Sequence, residues 1–258
     1  MLIDCHTHLT DAAFDADREL VLARARAAGL ERILVVGQDS EENTAVLKFA
    51  GAEPMLAPCL GLHPDRFSDR RPAFDPEELE RVVAQIRANK AQIVAIGEVG
   101  LDRWVCQDEA KRGAQREAFV RIIALALEMD LPLNVHSRSA GHHTIDLLLE
   151  NGARRVLMHA FDGKPVHALR GAEAGFLFSI PPSIVRSPQK QKLVKALPLS
   201  ALALETDSPV LGAERDQRNE PARIIVALRA IAEIKGLSEE EVARQTTENA
   251  RRLFRLEL

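Results

Sequence analysis

The sequence has little of what several protein classes need. Its 258 residues include no tyrosine, one tryptophan and three cysteines. Cys5, Cys59 and Cys106 are few, odd in number and scattered, which argues against a disulfide framework and for a reducing compartment. No run of 18 apolar residues occurs and no basic-then-apolar leader opens the chain, so a soluble, cytoplasmic protein with no membrane partner is expected. A basic excess is missing too: 34 Lys and Arg stand against 38 Asp and Glu, for a formal charge of −4. A protein that coats long duplex DNA normally shows a basic stripe. Any nucleic-acid substrate of this chain is therefore expected to be gripped locally, at an end or a lesion. Linkers, low-complexity segments and residue-level repeats are also absent, so residues 1–258 read as a single domain.

What the chain does have is short apolar runs in a regular rhythm. The composition predicts strands at 2–5, 32–37, 55–60, 93–96, 131–135, 155–158, 176–180 and 202–204. Helical patterns separate them, near 17–28, 40–50, 75–89, 144–150, 165–174 and 187–196. A long amphipathic helix carries Phe119, Ile122, Ile123 and Ala126 on one face, and two helices close the chain. Asp75-Pro76-Glu77-Glu78 is a strong helix start, and Ser238-Glu239-Glu240-Glu241 fits a capping box; Ser40 is read as the cap of the second helix. Eight strands alternating with helices imply parallel pairing and fit an α/β fold of one (β/α)8 TIM barrel. A doubly wound open sheet is the alternative, but the candidate ligands leave five different strands, and only a closed barrel gathers those ends around one pocket.

His6 and His8, at spacing two on extended backbone, point the same way and would share one metal ion. Cys5 faces away from His6 by the same alternation and reads as a small buried residue. Glu98, His136, His159 and Asp207 follow later predicted strands. Four histidines and two carboxylates exceed one four-coordinate ion and suit two divalent ions, of Zn, Mn or Mg type, with Glu98 as the bridge. A water held between the ions would be the nucleophile, and Asp207 would bind one ion while orienting or deprotonating that water. Each residue also has a plainer reading: Glu98 as a turn residue between glycines, His136 as a satisfied strand-end histidine, Asp207 as a cap.

Six stretches carry a resemblance: Asp4-Cys5-His6-Thr7-His8, Gly97-Glu98-Val99-Gly100-Leu101-Asp102, His136-Ser137-Arg138, His159-Ala160-Phe161-Asp162-Gly163, Glu205-Thr206-Asp207-Ser208-Pro209 and Arg218-Asn219-Glu220-Pro221. In order, they resemble the motifs of the TatD family of metal-dependent deoxyribonucleases, over nearly the whole chain. Residues 134–141, 178–184 and 189–195 resemble in particular its TatD domain-containing protein 3 branch. The resemblance implies an amidohydrolase-like barrel, two divalent metals on His6, His8, Glu98, His136, His159 and Asp207, and hydrolysis of DNA phosphodiesters. It also implies 3′-to-5′ exonuclease action and cleavage at abasic sites. Two departures bear on what the pocket accepts: Arg103-Trp104 where many members have an aromatic residue directly after Gly-Leu-Asp, and Ala160 and Asp162 where many have Cys and Ser.

A phosphodiester calls for positive charge and hydrogen-bond donors. Arg138, two residues after His136, and His63, after the third strand, are candidates for substrate contact. Asn219 would position the substrate or cap the following helix. Phe161 and Trp104 are candidate platforms for an unstacked base, or rim packing. His142, His143 and His167 read as surface residues. A competing reading is a barrel amidohydrolase acting on an amide, lactone or carboxyl ester; many of those bridge their metals with a carboxylated lysine on the fourth strand, and no lysine lies in 93–101. A third reading, a metal-stabilised scaffold, fits poorly with so many ligands at an open barrel mouth, since structural zinc prefers closed, Cys-rich sites.

Overall fold

The computed structural model describes residues 1–256. Its strands are β1 (Leu2–Thr7), β2 (Leu30–Val36), β3 (Leu56–Leu60), β4 (Ala95–Gly100), β5 (Leu133–His136), β6 (Val156–Met158), β7 (Leu177–Ile180) and β8 (Leu202–Leu204). Between them lie α1 (Arg18–Ala27), α2 (Ser40–Ala52), α3 (Pro76–Ala88), α4 (Glu109–Met129), α5 (Gly141–Glu150), α6 (Pro165–Glu173) and α7 (Pro188–Ala196); α8 (Ile224–Lys235) and α9 (Glu239–Phe254) follow β8. Spatial order equals chain order, and each neighbouring pair is parallel. The sheet closes just past β8, where the Asp207 N–H donates to the His6 carbonyl at 2.9 Å and the His8 N–H to the Ser208 carbonyl at 2.8 Å. The expected barrel is thus observed, and its seam joins the segments that carry His6, His8 and Asp207.

The core has two shells, as strand alternation requires. Ile3, Cys5, Leu34, Val36, Ala57, Cys59, Ala95 and Leu177 fill the barrel. The opposite strand faces, including Ile33, Val35, Leu133, Val135 and Phe178, pack against the helices. Ala250, Leu253 and Phe254 of α9 join the inner shell. Asn249 of α9 donates to the Leu202 carbonyl and Thr247 to that of Met1, so α9 covers the end where the strands begin. The other end is left as the mouth.

Two irregularities aim side chains into that mouth. Between Asp4 and Thr7, β1 spends three residues against two on β2, and between Ile96 and Val99, β4 does the same against β5. An extra residue breaks alternation and re-aims the side chains beyond it. This is why Cys5 faces the barrel interior although His6, beside it, also reaches the mouth. The strict alternation assumed from sequence turns Cys5 the wrong way, although it is buried as expected.

Strand boundaries shift accordingly. His6 and Glu98 lie within β1 and β4, and His136 is the last residue of β5, instead of following those strands. Close packing fixes Glu98: a Cβ on Gly61 would come within 2.3–2.5 Å of the Gly97–Glu98 backbone, and Gly100 sits at φ +141° against the His136 carbonyl. The cap of α2 is Asp39, whose side chain accepts from the Glu42 N–H at 2.8 Å; Ser40 is the first helical residue.

Candidate metal centre

The six predicted ligands converge at the mouth, in a cleft of about 540 Å³ that His8, Glu98, His136, His159 and Asp207 help line. Glu98 stands at the centre, with its two oxygens facing different histidines. Oε2 lies 3.4 Å from Nε2 of His6 and 3.4 Å from Nε2 of His8. Oε1 lies 2.7 Å from Nδ1 of His136 and 3.4 Å from Nε2 of His159. Asp207 Oδ1 completes the first group, 3.3 Å from His8 Nε2 and 3.6 Å from His6 Nε2.

These spacings fit a metal. An ion held at about 2.0–2.1 Å by four ligands has tetrahedral edges of roughly 3.3–3.4 Å. His6 Nε2 and His8 Nε2 are 3.3 Å apart, and each lies 3.3–3.6 Å from Glu98 Oε2 and Asp207 Oδ1. Glu98 Oε2 and Asp207 Oδ1 are buried and have no hydrogen-bond donor among the described residues. Two buried carboxylate oxygens without donors are costly unless a cation serves them. The donor set, imidazole and carboxylate, suits Zn²⁺ and Mn²⁺.

A further set of side chains orients the histidines. His6 Nδ1 lies 2.8 Å from Asn134 Oδ1, while Asn134 Nδ2 donates to the Cys5 carbonyl at 2.8 Å. The proton of His6 therefore sits on Nδ1 and leaves Nε2 free to ligate. Glu205 Oε2 does the same for His159 Nδ1 at 3.2 Å, and accepts in addition from Ser179 Oγ at 2.5 Å. Asp102 Oδ2 holds His136 Nε2 at 3.0 Å, with Nδ1 toward Glu98. Sequence reading missed Asn134, Asp102 and Glu205 as site residues. The available signal was chemical: a ligating histidine usually donates its second N–H to an oxygen, and all three residues sit in or beside the stretches that resemble family motifs.

The same charges set proton occupancy without metal. Burial opposes charge on His6, but Glu98, Asp207 and Glu205 outweigh it and raise its pKa to about 10. Burial opposes charge on His136 likewise, and Asp102 and Glu98 bring it up to about 9. Burial and the neighbouring His6 charge push His159 well down. Stability from the protonated His6 and His136 is thus fully present below the unfolded histidine value of about 6.5 and is lost as pH rises through 9 to 10. Metal must displace those protons. Chelator competition is expected to show affinity rising at least ~10-fold from pH 6 to pH 8, with proton release on binding; a pH-independent affinity would contradict this reading.

The predicted substrate contacts separate. Arg138 lines the cleft, exposed, with its guanidinium 5.1 Å from the ring centroid of Trp104, which is 61% exposed; the Arg103 N–H donates to the Arg138 carbonyl at 3.0 Å and ties the two loops together. His63 also lines the cleft. Its Nδ1 accepts from the Asp65 N–H at 3.0 Å, which puts its proton on Nε2, 3.3 Å from Glu98 Oε1. His63 thus presents a donor instead of a metal lone pair, although it lies within ligand-like reach of Glu98 and His136.

Two expectations need correction. Phe161 is 1% exposed and packs edge-on against Phe178, with Gly141 and Gly163 against its ring, so it offers no face to a base. Phe161→Ala is expected to cost about 3–4 kcal/mol in denaturant unfolding and leave metal content unchanged; intact stability with weakened DNA binding would restore the platform role. Asn219 is buried, and its Nδ2 donates to the Thr206 and Val210 carbonyls at 2.7 and 2.9 Å, holding the loop that carries Asp207. It is packed beneath that loop and is not among the residues that line the cleft. His142 packs with tilted rings against His143 and His167 outside the cleft; His142 is exposed and the other two are half-buried.

Comparison with known proteins agrees with this architecture. The family described as TatD related DNase matches residues 3–255. "Deoxyribonuclease TATDN3" of Homo sapiens is 46% identical over 98% of this chain and 94% of its own length. "3'-5' ssDNA/RNA exonuclease TatD" of Pectobacterium atrosepticum is 31% identical over 99% of this chain and 100% of its own. The crystal structure of YJJV, a TatD homologue from Escherichia coli K12, superposes with a TM-score of 0.89 at 28% identity, covering 99% of this chain and 98% of that one. With the barrel, the motif order and the family match in agreement, the chain belongs to the TatD-related DNase family.

Proposed function

We propose that this chain, as one domain over residues 1–258, hydrolyses DNA phosphodiesters with two divalent metal ions. The observation that carries the reading is Glu98, whose two oxygens face two different histidine pairs. His6, His8, Asp207 and Glu98 Oε2 would hold one ion; His136, His159 and Glu98 Oε1 the other. Such a pair supplies Lewis acidity at the phosphate and a water of lowered pKa.

The protein's own groups have separate tasks. Asp207 would hold one ion through Oδ1, which faces His6 and His8, and would accept the proton of the attacking water on its other carboxylate oxygen. His63 Nε2–H and Arg138 supply donors to phosphate oxygens. Asp65, Glu98, Asp102, Asp162 and Asp207 all line the cleft, against the basic residues Arg138 and Lys190. A polyanion would be repelled from such a wall without bound cations, which is a second support for metal dependence.

The size of the cleft suits a nucleotide and not a duplex. Together with the net charge of −4, it favours single-stranded ends and extruded abasic sites, read by 3′-to-5′ exonuclease action and by cleavage at the lesion. The test uses end-labelled single-stranded DNA, with and without an abasic site. Metal-stripped protein is supplied separately with Mg²⁺, Mn²⁺ and Zn²⁺. A metal-dependent ladder stepping from the 3′ end, or a cut at the lesion, is expected. No cleavage with metal bound would overturn the proposal and turn attention to amides, lactones and carboxyl esters.

A further inference from the structure

Lys190 is the third residue of α7, and its ammonium is an outlier for a lysine. The residue is 7% exposed, yet it lines the cleft with His159, Ala160 and Asp207. Its Nζ donates to the Ala160 carbonyl at 2.9 Å. Burial lowers its pKa, and Glu205, Asp162 and Asp207 lie close enough to oppose that shift, without an ion pair to Nζ among the described residues. A buried ammonium with one neutral acceptor retains N–H groups that no hydrogen bond among the described residues satisfies. Arg138 differs, being exposed and stacked on Trp104.

We infer that Lys190 is the phosphate-holding cation of the cleft and contacts a non-bridging oxygen of the phosphodiester being cut. The inference rests on the DNase reading for its substrate, but the anion site itself does not require hydrolysis. The alternative role is a clamp. Gln189, its neighbour, donates to the Gly163 carbonyl at 2.7 Å and to that of Phe161 at 3.3 Å, so the start of α7 already holds the loop after β6. Charge separates the two roles. Glutamine at 190 can still donate to a carbonyl but carries no charge, whereas arginine keeps the charge on a different head.

The test compares Lys190→Gln and Lys190→Arg in the metal-loaded protein. Inorganic phosphate binding by calorimetry is expected to weaken at least 10-fold in Lys190→Gln and to stay within 3-fold of wild type in Lys190→Arg. Bound metal and unfolding midpoint should be unchanged in both. For single-stranded DNA, kcat/KM should fall about 100-fold in Lys190→Gln and less than 10-fold in Lys190→Arg. Phosphate binding that depends on Lys190 in a protein that leaves DNA intact would keep this inference and sink the DNase reading. Wild-type phosphate affinity and DNA turnover in Lys190→Gln would sink the inference alone, as would equal losses in both variants accompanied by a lowered midpoint.

Discussion

A Glu98→Gln protein is expected to lose at least ~10³-fold in kcat/KM on single-stranded DNA and to retain at most one of the two proposed ions. The reason is geometric. Glu98 serves both histidine pairs with separate oxygens, and an amide replaces one of them with an N–H that repels a cation. The fold should hold, because the Gly61 and Gly100 packing that fixes β4 involves backbone, not the carboxylate. Although burial opposes ionisation, His63, His6 and His136 hold the Glu98 carboxyl well below its ordinary range. Its contribution to the metal-free protein is therefore present above the unfolded glutamate value of about 4.3 and lost as pH falls through the lower folded value. The measurement is metal stoichiometry alongside activity and circular dichroism. Two full equivalents of metal with wild-type turnover would remove Glu98 from the mechanism.

Asp207→Asn should separate binding from chemistry. Asp207 occupies left-handed backbone at φ 52°, a conformation asparagine adopts readily, and the loop is tied by Asn219. The amide oxygen remains a ligand toward His6 and His8, so bound metal should stay near the wild-type amount. What disappears is the proposed proton acceptor, and loss of a positioned general base costs about 10²–10⁴-fold. The expected pattern is a fallen kcat with a modest change in KM. Metal lost in proportion to activity would reduce Asp207 to a ligand.

Much of this centre was legible because barrel topology converts strand order into proximity. Once eight strands alternate with helices, residues at strand ends share one mouth however far apart they lie in the chain. His6, His8, Glu98, His136, His159 and Asp207 could therefore be grouped from spacing and residue type. The aiming of His6 and Glu98 was not legible, because both lie at a register slip that alternation does not announce. Nor were the orienting pairs: His159 and Glu205 are 46 residues apart, His6 and Asn134 128. Phe161 misleads for a different reason. A ring two residues after a candidate ligand histidine looks exposed in sequence, and only the positions of Gly141, Gly163 and Phe178 around it show that it is packed. Asn219 reads as a polar residue before a helix, while its role is to bond two carbonyls of the Asp207 loop.

The most direct test of the central claim is a metal titration with two readouts. Mn²⁺ is added in equivalents to the stripped protein, and bound metal is measured together with cleavage of end-labelled single-stranded DNA. The account predicts that cleavage appears as the second equivalent fills, and that Glu98→Gln never reaches that point. Cleavage that saturates at one equivalent, or a protein holding two ions that leaves the DNA intact, would contradict it.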